Sequence, residues 1–129
     1  MLPFEVKFKP GKPAFEQLAF AVERALWMGE LVPGQLFPSV RQLSQELRLN
    51  PNTVHRAVQM LSERGFLEVR PGQQSLVRWP EAPLPNFGLG LLREPMDRLV
   101  VEARRLGLAL GEVEGLLRER WAELEGVKG

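Results

Sequence analysis

The chain alternates between stretches with different hydrophobic periods. Phe4-Glu-Val-Lys-Phe8 places apolar and polar residues in turn, which predicts a strand. Pro10-Gly-Lys-Pro13 punctuates it. Phe15, Leu18, Ala19, Val22, Ala25 and Leu26 then recur at helical spacing, so a helix runs over about residues 14–28, opened by Pro13 and closed by Gly29. Ser39 and Gln42 have the spacing of a capping box, in which each side chain serves the other's backbone amide, and Val40, Leu43 and Leu47 mark a short helix after it. Arg48-Leu-Asn50 interrupts the pattern. Asn50 suits an N-cap and Pro51 a first helical position; Val54, Ala57, Val58 and Leu61 carry the next helix over about residues 51–64, with Gly65 past its end.

Two short helices joined by three or four residues form a helix-turn-helix pattern. Phe66-Leu-Glu-Val-Arg70, with Leu67 and Val69 on one face, and Ser75-Leu-Val-Arg-Trp79 predict a hairpin around Pro71-Gly72-Gln-Gln74. A hairpin directly after a helix-turn-helix has the layout of a winged helix. Residues 80–92 are rich in proline and glycine and read as a linker. Beyond them Met96, Leu99, Val100, Ala103 and Leu106 share one helical face, and Val113, Leu116, Leu117, Trp121 and Leu124 another, with a Gly107–Gly111 connection between. The expected fold is mainly α with a small β-hairpin wing: a winged helix-turn-helix at 1–79, a linker at 80–92, and a two-helix dimerisation tail at 93–129.

The tail reading rests on area. Two helices of about a dozen residues make too small a core to stand alone, and each buried Leu, Val, Met or Trp contributes ~1.5–3 kcal/mol. The apolar faces must be covered by the body of the same chain or by the tail of a second copy. A Pro/Gly-rich linker holding the tail off the body favours the second, with Met96, Leu99, Val100, Ala103, Val113, Leu116, Leu117 and Trp121 at the dimer seam.

Composition narrows the chemistry. Of 129 residues, 44% are hydrophobic and 26% charged, as in folded soluble chains. No cysteine is present and His55 is the lone histidine, which excludes a disulfide framework, a Cys-ligated metal site, a His-rich metal site and a cysteine nucleophile. No apolar run has spanning length and no secretory signal pattern opens the chain, so a cytoplasmic location is expected. Net charge is +1, but it is unevenly spread: residues 1–37 balance to zero, 38–80 carry an excess of +3, and 81–129 an excess of −2. A polyanion would therefore bind in the middle. Ser39 and Ser44 have no matched base, and neither a phosphate loop nor a metal-ligand cluster occurs, so no enzyme activity, metal or cofactor is expected.

Several short motifs stand in register: Gly29-Glu-Leu-Val-Pro-Gly34, Phe37-Pro-Ser-Val-Arg-Gln-Leu43, Leu49-Asn-Pro-Asn-Thr-Val54, Leu61-Ser-Glu-Arg-Gly65 and Arg70-Pro-Gly72. Together they resemble the GntR family of bacterial transcription regulators, and Asn50-Pro-Asn-Thr53 with the short helical tail resembles its YtrA-like branch. The resemblance implies a winged-helix DNA-binding domain, a homodimer and a palindromic or pseudo-palindromic operator, with Arg41, Asn52, Thr53, Arg56 and the wing near Gly72 at the DNA; the leading reading is a homodimeric, sequence-specific DNA-binding regulator, a repressor. The family wing usually reads Gly-x-Gly; here Gln74 replaces the second glycine. Ala109 stands where the family often has a capping serine.

Each residue also has a plainer role. Asn50 and Ser39 serve as caps, and Ser39 could share a phosphate at the helix start. Asn52 and Thr53 either satisfy first-turn amides or contact DNA. His55 is either solvated or at a phosphate or base. Arg56 is either a solvated surface arginine or pairs with guanine, a contact worth ~1–3 kcal/mol of discrimination. Arg41 opposes the dipole of its own helix, so a phosphate or base nearby explains it better than local stability does. Arg48 and Arg70 suit backbone phosphates, Gln73 or Gln74 sugar or base edges, and Trp79 a packing anchor. The competing reading is a winged helix used for protein contact without specific DNA binding. A small-molecule effector is left open.

Overall fold

The computed structural model describes residues 1–80 and 88–128. Helix α1 spans Ala14–Trp27, α2 Val40–Leu47 and α3 Pro51–Glu63; strands β1 (Leu67–Glu68) and β2 (Leu76–Val77) pair antiparallel; α4 spans Gly88–Arg105 and α5 Leu110–Lys128. The chain divides into two units, one ending with the hairpin and one holding α4 and α5.

The predicted apolar stripes of the first unit converge. Leu18, Val22, Ala25 and Leu26 of α1 meet Leu43 of α2, Val54, Ala57 and Leu61 of α3, and Leu67 and Val77 of the hairpin in one buried cluster, with Phe37 and Leu31 from the intervening loop. Helices α1 and α3 run parallel and in register. Arg56 lies over the Phe15 ring and Arg64 bonds Glu23 at 3.0 Å, and both pairs are separated by 41 residues. The helix-turn-helix turn is fixed locally. The Ser44 hydroxyl donates to the Leu49 carbonyl at 2.6 Å, the Leu49 amide donates to the Ser44 carbonyl at 3.1 Å, and Arg48 adopts the left-handed φ of 55° that the reversal requires. Trp79 anchors the end of the hairpin edge-on against Trp27, with ring centroids 4.9 Å apart.

Several expectations are corrected. Residues 4–8 form no strand: Phe4 is buried against Phe37, ring centroids 6.0 Å apart, and the Lys9 backbone bonds the Gln17 side chain instead of a ladder partner. Val69 does not share the buried face of Leu67; it is 54% exposed, because the ladder ends at Glu68. The hairpin gains a third edge instead. Leu36 bridges Leu76, and Gly34, Gln35 and Phe37 exchange backbone bonds with Val77 and Ser75 at 2.7–2.9 Å. The capping box is half formed: Ser39 Oγ accepts from the Gln42 amide at 3.1 Å, but the Gln42 side chain donates to Glu46 at 2.9 Å.

In the second unit, α4 has 18 residues and α5 19, longer than the expected dozen. Residues 88–92, read as linker, are helical, and Pro95 lies inside α4 rather than near its start. Proline removes the bond to the carbonyl four residues back and its ring crowds that carbonyl, but Leu91, Leu92, Arg93 and Glu94 before it are strong helix formers. The Arg98–Glu94 pair at 2.6 Å spans the site of the proline. The remaining linker residues, 81–87, lie outside the described residues. The serine missing at Ala109 is offset by Glu112, whose carboxylate accepts from the Ala109 amide at 2.9 Å.

Candidate nucleic-acid interface

The buried stripe of α3 (Val54, Ala57, Leu61) leaves the opposite face to Asn52, His55, Arg56 and Gln59, all exposed. At 100° per residue, positions 52, 55 and 59 form one row with Arg56 beside it. The side chains of Asn52 and His55 make no hydrogen bond or ion pair within the described residues. Gln59, which sequence reasoning passed over, extends the row by a turn and contacts Glu63 at 3.4 Å. Its helical phase was the available signal.

The neighbouring polar residues divide into committed and free groups. Asn50 Oδ1 accepts from the Asn52 amide at 2.8 Å and Ser39 Oγ from the Gln42 amide, so both act as caps. Thr53 is half-buried on the flank of α3. Arg41 is exposed in the first turn of α2, with no ion pair among the described residues. Arg48 is exposed at the turn. The Arg56 guanidinium sits 3.9 Å from the centroid of the Phe15 ring, a cation–π contact of about 0.5–1 kcal/mol at an exposed site that draws it toward the start of α1. Phe15 is a second residue missed; its spacing marked it only as core. Beside α2, the Gln42 hydrogen bond and then the chain's amino group hold the Glu46 carboxyl below the usual carboxylate range.

The wing is braced at its root. Gly72 takes the positive φ of 69° that the turn needs, and the Gln73 amide donates to the Arg70 carbonyl at 3.2 Å. Arg70 folds back and donates to the Gln74 carbonyl at 3.0 Å, its Nε buried. The Gln74 side-chain amide donates to the Phe37 carbonyl at 3.2 Å, two residues before the Ser39 cap. Gln74 thus ties the wing to the entry of α2, while Gln73 stays exposed near the tip. Arg78 pairs with Glu68 across the hairpin at 3.0 Å.

Residues 14–77 match the family described as bacterial regulatory proteins, gntR family. Over 122 residues, 95% of this chain and 93% of the relative, the sequence is 30% identical to the uncharacterized HTH-type transcriptional regulator YhcF of Bacillus subtilis. The chain belongs to the GntR family. This GntR protein is also 26% identical over 117 residues, 90% of each chain, to the HTH-type transcriptional repressor YtrA of Bacillus subtilis. Its fold is similar to that of a transcriptional antiterminator from Listeria monocytogenes, with a TM-score of 0.78 at 21% identity over 98% of this chain and 93% of that one. The GntR protein is a transcription regulator with a helix-turn-helix DNA-binding domain, and its relatives and fold are those of regulators, not of enzymes. Among the described residues no helix is long and apolar enough to cross a membrane.

The proposed dimer residues belong to the second unit. Met96, Leu99, Val100, Leu116, Leu117 and Trp121 are exposed in the single chain, Val113 is half-buried, and Ala103 is already covered within its own chain.

Proposed function

We propose that this regulator is a cytoplasmic homodimer that represses transcription by binding a two-fold symmetric operator. The observation that carries the reading is the row of Asn52, His55 and Gln59: polar, exposed, and held on a helix whose start is fixed by the Asn50 cap and Pro51. Helix α3 enters the major groove, where Asn52 pairs with adenine and His55 and Gln59 meet neighbouring edges. Arg56 takes a phosphate or a base at the α1 side, Arg41 a phosphate or base at α2, and the wing of Arg70, Gly72 and Gln73 the adjacent minor groove. Thr53 contributes from the flank. The exposed apolar positions of α4 and α5 join two copies, and the repressor name of YtrA supports the regulatory sign.

Fluorescence titrations of short duplexes with the wild type and Asn52→Ala test the reading. The wild type prefers one sequence, and its log affinity falls steeply with log salt. Asn52→Ala loses ~1–3 kcal/mol, confined to one base position in each half-site. Equal binding to all sequences by both proteins overturns the proposal.

A further inference from the structure

We propose that Lys9 and Lys12, outside the matched residues 14–77, form a second phosphate-binding rim for the DNA flanking each half-site. This inference rests on the DNA-binding reading above.

The stretch before α1 is not free chain. The Gln17 side chain accepts from the Lys9 amide at 2.8 Å and donates to the Lys9 carbonyl at 2.8 Å and the Lys12 carbonyl at 2.9 Å. Gly11 turns between the two lysines with a φ of 96°. Only backbone atoms are used in these bonds. Both side chains are exposed, and neither has an ion pair among the described residues.

The helix register places this clamp. Because α1 and α3 run parallel at a constant offset of 41, Gln17 stands level with Val58, and the start of α1 level with the groove-facing half of α3. Arg56, itself an exposed member of the α3 face, reaches Phe15 in the first turn of α1. That turn therefore borders the DNA-facing surface. Gln17 lies on the side of α1 away from the core, so Lys9 and Lys12, bonded to it, stand on the far side of α1 from α3. On that side the ammonium groups meet the sugar-phosphate chain beyond the groove, not base edges. Lysine, a mobile point charge, suits that ligand. Arg24 shares the concave surface between α1 and the N-terminal arm, but it is nine residues further along α1, roughly 13 Å from the Phe15 level, and lies out of reach.

The test is the salt dependence of operator binding by the full chain for wild type, Lys9→Ala/Lys12→Ala and Arg24→Ala. The double variant lowers the slope of log affinity against log salt by about 1.8, keeps its base preference, and converges with wild type toward 1 M salt. It also loses ethylation interference at the outermost phosphates. Arg24→Ala keeps the wild-type slope. An unchanged slope in the double variant, with a specific and steep wild type, overturns the rim and leaves the DNA reading intact. A slope lowered equally by Arg24→Ala assigns the effect to general charge and also overturns the rim. A wild type without sequence preference or salt dependence overturns the DNA reading itself.

Discussion

The two units of this chain solve the same problem in opposite ways. In the first, helices of 14, 8 and 13 residues bury their stripes against one another and a two-strand hairpin. In the second, helices of 18 and 19 residues leave Leu99, Val100, Leu116, Leu117 and Trp121 exposed, and Ala103 is the buried hydrophobic among the described residues there. A helix this apolar on its surface has surface to bury elsewhere. The first unit is complete as one copy; in the proposed homodimer a second copy covers the exposed faces of the second unit and gives the DNA-reading surface its symmetry.

The contrast is broken most strongly at the seam. Leu117→Asp should convert the proposed dimer to monomer in analytical ultracentrifugation and remove the bivalent gain in operator affinity, about 10²–10⁴-fold. The first unit should keep its helicity by circular dichroism. Leu61→Ala acts in the other unit: a fully buried α3 side chain is lost, and urea denaturation should show a loss of about 2–5 kcal/mol with the tail pairing retained. Asn50→Ala removes the α3 cap and should cost about 1 kcal/mol in the same assay. Gln74→Ala frees the wing root; amides 72–76 should exchange several-fold faster while the α3 core amides are unchanged. The smallest effect is expected for Arg78→Ala, below about 1 kcal/mol and vanishing in high salt, because the pair with Glu68 is half exposed.

Local chemistry was legible and long-range chemistry was not. Ser39, Asn50 and Pro51 mark helix starts within three residues, and the α1 and α3 stripes repeat often enough to fix the buried face. Two-residue strands are too short to impose a period, so Val69 reads as an inward residue and is not one. Pro95 reads as a helix start because proline favours that position, yet strong helix formers on both sides carry α4 through it. Within the candidate interface, the exposed positions of Asn52, His55 and Arg56 follow from phase alone. The Phe15–Arg56 stack and the Gln74–Phe37 brace join residues 41 and 37 apart, distances over which spacing carries no signal. In the sequence Gln74 stands as a lost glycine and a candidate contact to sugar or base edges; its tether to the Phe37 carbonyl appears only in the fold.

The most direct measurement is selection of bound duplexes from a random library by the wild type and by Leu117→Asp. The account predicts inverted half-sites with centres about one helical turn apart, roughly 34–36 Å, for the wild type and a single half-site of the same sequence for the variant. Enrichment of an unpaired half-site by the wild type, or of no sequence at all, would contradict it.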